Sequence, residues 1–219
     1  MKNIANVKKE FYSIEGLKVK SILESSSNSI DVEFSFDSYV RINGACYLLN
    51  HCIKMEIPVA YPKKLPIIYE LGEKTIKNFP HINPDSKGTF CLGTEIDIRR
   101  KLKPNYSLKE YVSLIAEFLG IYMYFDEYGV FPFGERDHGG IGIIEAYQEI
   151  FCVHSEQQVL NLMKIDKLNN RYRNKKCPCN SSKKFKKCHW NIMNTIIKDS
   201  LQYDQMKKDY KYLRKSIST

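Results

Sequence analysis

No apolar run in the 219-residue sequence approaches the roughly 20 residues that a membrane helix needs, which excludes a helical membrane span. The stretch from Met1 to Glu10 lacks the continuous apolar core of a secretory signal, so a cytoplasmic protein is expected. No glycine-rich nucleotide loop is present, so any nucleotide-dependent activation step belongs to a partner or is bypassed. No internal repeat is evident. Acidic residues are missing altogether from Lys167 to Lys198, and the formal net charge of +9 is therefore concentrated toward one end of the chain.

What is present is ordinary for a globular protein: 43% hydrophobic and 27% charged residues, enough for one core of domain size with a small appendage. The seven cysteines (Cys46, Cys52, Cys91, Cys152, Cys177, Cys179 and Cys188) are odd in number. In a cytoplasmic protein they point to metal binding or catalysis rather than to a disulfide framework.

Ile4, Val7 and Phe11 fall at helical spacing, with Gly16 available to end the turn. Leu17 and Val19 alternate with Lys18 and Lys20, and a turn is expected over Ser25 to Ser29. Ile30, Val32, Phe34 and Phe36 alternate with polar residues as in a half-buried strand. After Asn43-Gly44 a single third strand is expected to carry Tyr47, Leu49, Ile53, Met55 and Ile57 on one face. Pro58, Pro62 and Pro66 make the next stretch an edge or an extended wrap leading into a strand at Ile67 to Leu71. Ser107-Leu108-Lys109-Glu110 is a capping box, opening a helix with a stripe of Tyr111, Leu114, Ile115, Phe118, Tyr122 and Phe125; it is the first strong cap after Cys91. An irregular loop from Asp126 to Gly140 precedes helical patterns over 144–151 and from Ser155 to about Leu168. The expected class is α+β, an antiparallel meander flanked by helices.

The run Phe79-Pro80-His81-Ile82-Asn83-Pro84-Asp85-Ser86-Lys87-Gly88-Thr89-Phe90-Cys91-Leu92-Gly93, following Tyr61-Pro62 and Pro66, resembles the ubiquitin-conjugating enzymes. In that family a Tyr-Pro stretch, a strand and a His-Pro-Asn turn lead to a Gly-x-x-Cys-Leu segment whose cysteine carries a thioester. The resemblance puts Cys91 in the thioester position and Asn83, with His81, in the turn that stabilises the oxyanion. Here the prolines are displaced to Pro80 and Pro84, the mark of a distant branch. It implies the ubiquitin-conjugating (UBC) fold over residues 1–152. It also places the loop holding Asp137 and His138 where acceptor lysines are steered, and a loop histidine with an ordinary pKa near about 6.5 suits a base. The other cysteines, Cys46, Cys52 and Cys152, and His51 and His154 fall on strand or helix patterns and read as packing or surface residues.

Near the C-terminus, Cys177-Pro178-Cys179 is followed by Cys188-His189, three thiolates and an imidazole that complete a tetrahedral Zn²⁺ shell. This segment resembles the SEC-C motif. Where that family has Gly-Ser-Gly-Lys, this chain has Asn180-Ser181-Ser182-Lys183, and asparagine tolerates the left-handed backbone that glycine would supply. The resemblance implies structural zinc in a knuckle at 171–219 with a basic helical tail, joined by a helical spacer at 153–170, and a surface serving protein contacts. The cations Arg171, Arg173, Lys175, Lys176, Lys183, Lys184, Lys186 and Lys187, with Tyr172, Phe185 and Trp190 as stacking partners, suit phosphates as well.

The expected function is a thioester transferase acting on the C-terminus of a ubiquitin-like protein or of a cGAS-like nucleotidyltransferase, in a bacterial antiphage operon, with an acceptor lysine on a target and an activating enzyme as further partners. Two alternatives remain open. One is a cysteine peptidase using Cys91 and His138, in the chain order of papain-like enzymes. The other is a non-catalytic adaptor of the same fold that works through the knuckle.

Overall fold

A computed structural model of the chain describes residues 2–25, 28–73 and 75–216. It is α+β and divides into two compact units, Met1–Gly93 with Leu102–Glu135, and Thr94–Lys101 with Arg136–Thr219. Among the described residues no helix is long and apolar enough to cross a membrane.

The first unit opens with α1 (Ile4–Tyr12), capped by the Asn3 side chain, which accepts from Asn6 N, and burying Val7 and Phe11. Strands β1 (Leu17–Ser25), β2 (Ser29–Phe36), β5 (Cys52–Pro58) and β6 (Ile67–Glu70) form an antiparallel sheet in that spatial order. In β2 the alternation reads directly as burial of Ile30, Val32, Phe34 and Phe36. Of the serine-rich turn expected before it, Ser26 and Ser27 lie outside the described residues.

The single third strand expected after Asn43-Gly44 is in fact two. β3 (Ser38–Ile42) and β4 (Ala45–Leu49) form a separate two-stranded sheet around that dipeptide, while β5 starts at Cys52 and pairs with β2. Asn43 and Gly44 both have positive φ, +46° and +89°, the tight hairpin geometry that this pair favours. The apolar alternation runs through the break because Leu49, His51 and Ile53 are all buried, so periodicity alone joins two strands into one.

Helix α3 (Leu108–Tyr128) begins at the reciprocal capping box of Ser107 and Glu110 and ends on Gly129 in the left-handed conformation. It buries Tyr111, Ile115, Phe118 and Tyr122 of the expected stripe, together with Val112 and Leu119. Gly120 allows its close approach to β3, since a Cβ there would sit 2.6 Å from Val40 Cγ1 and 2.7 Å from Ile42 Cγ1.

The second unit is helical: α2 (Glu95–Lys101), α4 (Gly139–Phe151), α5 (Glu156–Met163), α6 (Trp190–Lys198) and α7 (Ser200–Ser216). Its core joins Tyr147, Ile150, Phe151, Val159, Met163, Met193, Ile196 and Met206 to Cys177, Cys179 and Phe185. Ser107 is the first strong cap after Cys91 in the sequence, yet α2 already lies between them, with Thr94 Oγ1 accepting from Asp97 N at 3.3 Å. Its signals were Thr94 ahead of Glu95 and Asp97 in the first turn and Arg99, Arg100 and Lys101 in the last.

Candidate functional site

Cys91 is held by a hairpin of the first unit. Cys91 N donates to His81 O at 2.8 Å, Asn83 N donates to Thr89 O at 2.8 Å, and Ile82 bridges Phe90 between them. The turn lies at Asp85 to Gly88, and Cys91 sits on the returning arm rather than in the turn itself. Asp85 ties the turn by accepting from Lys87 N at 2.9 Å and Thr89 N at 3.2 Å. Its bond with the Thr89 hydroxyl is the main cause holding the Asp85 carboxyl below its ordinary pKa.

With side chains alternating across the ladder, His81, Asn83, Thr89 and Cys91 share one face and Ile82 and Phe90 the other. The inner face is anchored: Phe90 is 7% exposed, stacks on Phe118 of α3 with ring centroids 4.6 Å apart, and donates its N–H to Ile68 O of β6 at 2.8 Å. The outer face puts a ring nitrogen of His81 within 4.8 Å of Cys91 Sγ. His81 is steadied in turn by edge-on contacts with Phe79 and Phe131, at 5.5 and 5.3 Å between centroids. Phe79 itself packs on Phe118, Tyr122 and Phe125, so α3 fixes the hairpin.

Asn83 stands opposite Thr89 and its amide Nδ2 donates to Thr89 Oγ1 at 3.0 Å. Of the two residues that the resemblance assigns to the oxyanion turn, His81 is thus the cross-strand neighbour of the thiol, and Asn83 is spent on its own partner. His138 belongs to the second unit, where it is the exposed N-cap residue of α4 without a side-chain capping bond. Asp137 precedes it, its N–H donating to Glu145 Oε2 at 3.0 Å. Cys46 and Cys152 are exposed, Cys52 is half-buried and hydrogen-bonded to Lys20, and His51 is buried, which lowers its pKa.

The second cluster lies within the second unit. A short antiparallel bridge between Lys176 and Lys184, with Cys177 N donating to Lys183 O at 2.8 Å and Phe185 N to Lys175 O at 2.8 Å, folds the first two cysteines back toward the third. Asn180 and Ser182, standing where the SEC-C pattern has glycine, both adopt φ of +61°. The four ligand atoms of Cys177, Cys179, Cys188 and His189 lie within 4.8 Å of one another. His189 Nδ1 is 3.2 Å from Cys177 Sγ and 3.1 Å from Cys188 Sγ, and Cys179 Sγ is 3.6 Å from Cys188 Sγ.

These separations, 3.1 to 3.6 Å, come within a few tenths of an ångström of those of a zinc shell. Bonds of about 2.3 Å to sulfur and about 2.0 Å to nitrogen imply tetrahedral edges of roughly 3.5 to 3.8 Å. His189 Nε2 meets Phe151 O at 2.6 Å, so the imidazole carries its proton there and leaves Nδ1 as the lone-pair donor toward the thiols. Burial pushes the Cys177 thiol up to about 12, a group that ionises in place only beside a cation. Burial opposes ionisation of Cys179 as well and is the largest single cause, but hydrogen bonds with Ser181, Cys177 and Cys188 together outweigh it and bring its pKa below the ordinary value. The donor set therefore suits a structural ion, with no vacant protein position for substrate.

Three residues around the knuckle escape a reading of the sequence by ligand spacing. Ser181 Oγ lies 3.1 Å from Cys179 Sγ and 3.3 Å from Cys188 Sγ. Gln158, the third residue of the α5 capping box, donates Nε2 to Cys179 O at 2.9 Å. Phe151 contributes only a carbonyl, which no side-chain motif reveals. The stacking role considered for Phe185 is overturned: it is 3% exposed, a core residue, while Trp190 lies edge-on to it beneath the Arg173 guanidinium, 5.5 Å away. The eight basic residues from Arg171 to Lys187 are all exposed.

No curated protein and no solved structure matches the chain. Residues 173–191 match the SEC-C motif, a zinc-binding type of motif, and they span the whole Cys3His cluster.

Proposed function

We propose that the chain is a ubiquitin-conjugating-like acyl transferase with Cys91 as its nucleophile and the zinc knuckle as a partner-docking scaffold. The observation carrying this reading is the cross-strand pair: a half-buried thiol with a ring nitrogen of His81 within 4.8 Å, displayed on the outer face of a hairpin whose inner face is locked to α3 and β6. An N-terminal helix, an antiparallel sheet and a cysteine arm just beyond its edge strand is the order expected of a UBC-like domain. The proline-rich connection between β5 and β6 supports the same reading.

In the proposed reaction Cys91 Sγ attacks the C-terminal carbonyl carbon of an activated acyl donor. A sulfur–carbon bond forms and the activating group departs with its electron pair. The amine of the acceptor then attacks the same carbon, loses a proton, and expels the Cys91 thiolate. The donor is the C-terminus of a ubiquitin-like protein or a cGAS-like nucleotidyltransferase, activated by a separate enzyme, and the acceptor is a lysine of the target. Only a thioester keeps the acyl group reactive enough for this second transfer.

Zinc held by Cys177, Cys179, Cys188 and His189 supplies no chemistry to this reaction; when bound it fixes the backbone that carries the basic surface. Eight exposed cations suit an acidic protein face there and suit nucleic acid equally, the competing reading, whose binding would fall steeply with salt.

Mixing the protein with its operon neighbours and resolving adducts on non-reducing gels tests the proposal. Wild type is expected to form a thiol-sensitive adduct, Cys91→Ser a thiol-resistant ester, and Cys91→Ala none. An unchanged adduct on Cys91→Ala contradicts it.

A further inference from the structure

Glu135 follows Gly134 on the loop after α3 and belongs, like His81 and Cys91, to the first unit. Its Oε1 lies 3.7 Å from His81 Nε2. A ring nitrogen of the same imidazole is within 4.8 Å of Cys91 Sγ. We propose that Glu135 is a positioning residue that holds His81 as the imidazolium partner of a Cys91 thiolate, completing a thiol, imidazole and carboxylate series. The inference rests on Cys91 being the nucleophile of the proposed function and adds what makes it nucleophilic.

The surroundings favour this arrangement. The His81 side chain is only 18% exposed, with the rings of Phe79 and Phe131 against its edges. Such walls disfavour a lone imidazolium, because they replace water that would solvate it. They also strengthen its attraction to a carboxylate, since Coulomb energy rises as the local dielectric falls. A carboxylate at ion-pair distance offsets part of that cost.

The other charged groups of this hairpin are engaged elsewhere: Asp85 with Thr89 N–H and the Lys87 N–H, and Lys87 Nζ with Glu56 Oε1 at 2.6 Å and the Tyr69 ring at 5.0 Å. Glu135, 42% exposed, is the acidic side chain paired with His81. In the activation step the Sγ–H bond of Cys91 breaks and the proton passes to the His81 ring nitrogen facing the thiol. Sulfur keeps the electron pair, and Glu135 stays ionised throughout. The separations close by side-chain rotation, as catalytic contacts commonly do when substrate arrives.

Alkylation of the full-length chain by iodoacetamide, followed at Cys91 by peptide mass spectrometry from about pH 5 to about pH 10, reads this pair without any acyl donor, since the thiolate is the reacting form. His81→Gln is expected to slow Cys91 alkylation about tenfold at neutral pH and raise its midpoint by about one pH unit. Glu135→Gln is expected to slow it about threefold with a smaller rise, and Glu135→Asp to recover part of the loss, all with unchanged melting temperatures. A Glu135→Gln profile superimposed on wild type overturns the proposal, as does a profile moved by His138→Gln and not by His81→Gln. Shifted profiles without any thioester in the adduct assay would sustain this pairing and remove only the transferase reading.

Discussion

Cys91 and the three knuckle cysteines are the same functional group in opposite settings. In the knuckle, chain reversals at Asn180 and Ser182 bring three thiols and one imidazole together in the core of the second unit, and the remaining imidazole proton is satisfied by Phe151 O. Every sulfur there has close partners within the cluster. Cys91 stands opposite His81 on the polar face of a hairpin, half-buried, with no second sulfur in its ladder. Convergence produces a closed set of ligand atoms; separation leaves a lone thiol. What a cysteine does here is set by how many others the backbone folds toward it.

The largest contrast is expected from metal removal. A short metal-bound knuckle owes on the order of 10 kcal/mol of its folding free energy to the ion. Cys177, Cys179 and Phe185 are part of the helical core, so a chelator or Cys188→Ser should strip helical signal from α4 to α7 in circular dichroism. Cys91→Ala should stay within about 0.5 kcal/mol of wild type in urea unfolding, as expected for a half-buried side chain whose truncation opens no core cavity. Equal losses from the two substitutions would erase the distinction.

A smaller effect comes from the Tyr147, Gln205 and Asp209 network of the second unit, where Tyr147 Oη donates to Asp209 Oδ2 at 2.9 Å and Gln205 Nε2 to Asp209 Oδ1 at 2.9 Å. Burial raises the Asp209 carboxyl from 3.8 to about 6, against the pull of those hydrogen bonds. A folded pKa above the unfolded one means that the native state binds the extra proton. The stabilisation is complete below about pH 4 and is lost as pH rises toward about 6. The difference in unfolding free energy between wild type and Asp209→Asn should fall across that window, at no more than about 1.4 kcal/mol per pH unit. Because both proteins share the same zinc ligands, a flat difference would show that Asp209 is ionised throughout.

The smallest effect concerns Ser182, whose φ of +61° suits glycine. Ser182→Gly should stabilise the metal-bound knuckle by about 0.5 kcal/mol, the relief of left-handed strain less the backbone entropy of glycine, read as a rise in melting temperature. Destabilisation would indicate that the Ser182 side chain holds a contact worth more than the strain.

Legibility in the sequence followed how local each feature is. The alternation of β2, the capping box at Ser107 and the knuckle ligands are all written within a few residues of one another, and each is seen in the structure. The split of β4 from β5 was hidden because His51 keeps the apolar period through the break. Helix α2 carries a weaker signal than the box at Ser107, because the residue three positions after its Thr94 cap is Asp97 rather than glutamate or glutamine. The pairing of His81 with Cys91 depends on the register of a hairpin, and the approach of Glu135 on a loop far along the chain, so neither has a sequence signature. Gln158 could be found only as a cap residue, its bond to Cys179 O being a matter of packing.

The division between a nucleophilic thiol and three ligand thiols is tested most directly by native alkylation resolved at each cysteine, with and without a chelator. Cys91 is expected to react in the untreated protein while Cys177, Cys179 and Cys188 stay protected, becoming reactive together once the metal is withdrawn. Knuckle thiols that react as fast as Cys91 before chelation, or a Cys91 that reacts only after unfolding, would contradict it.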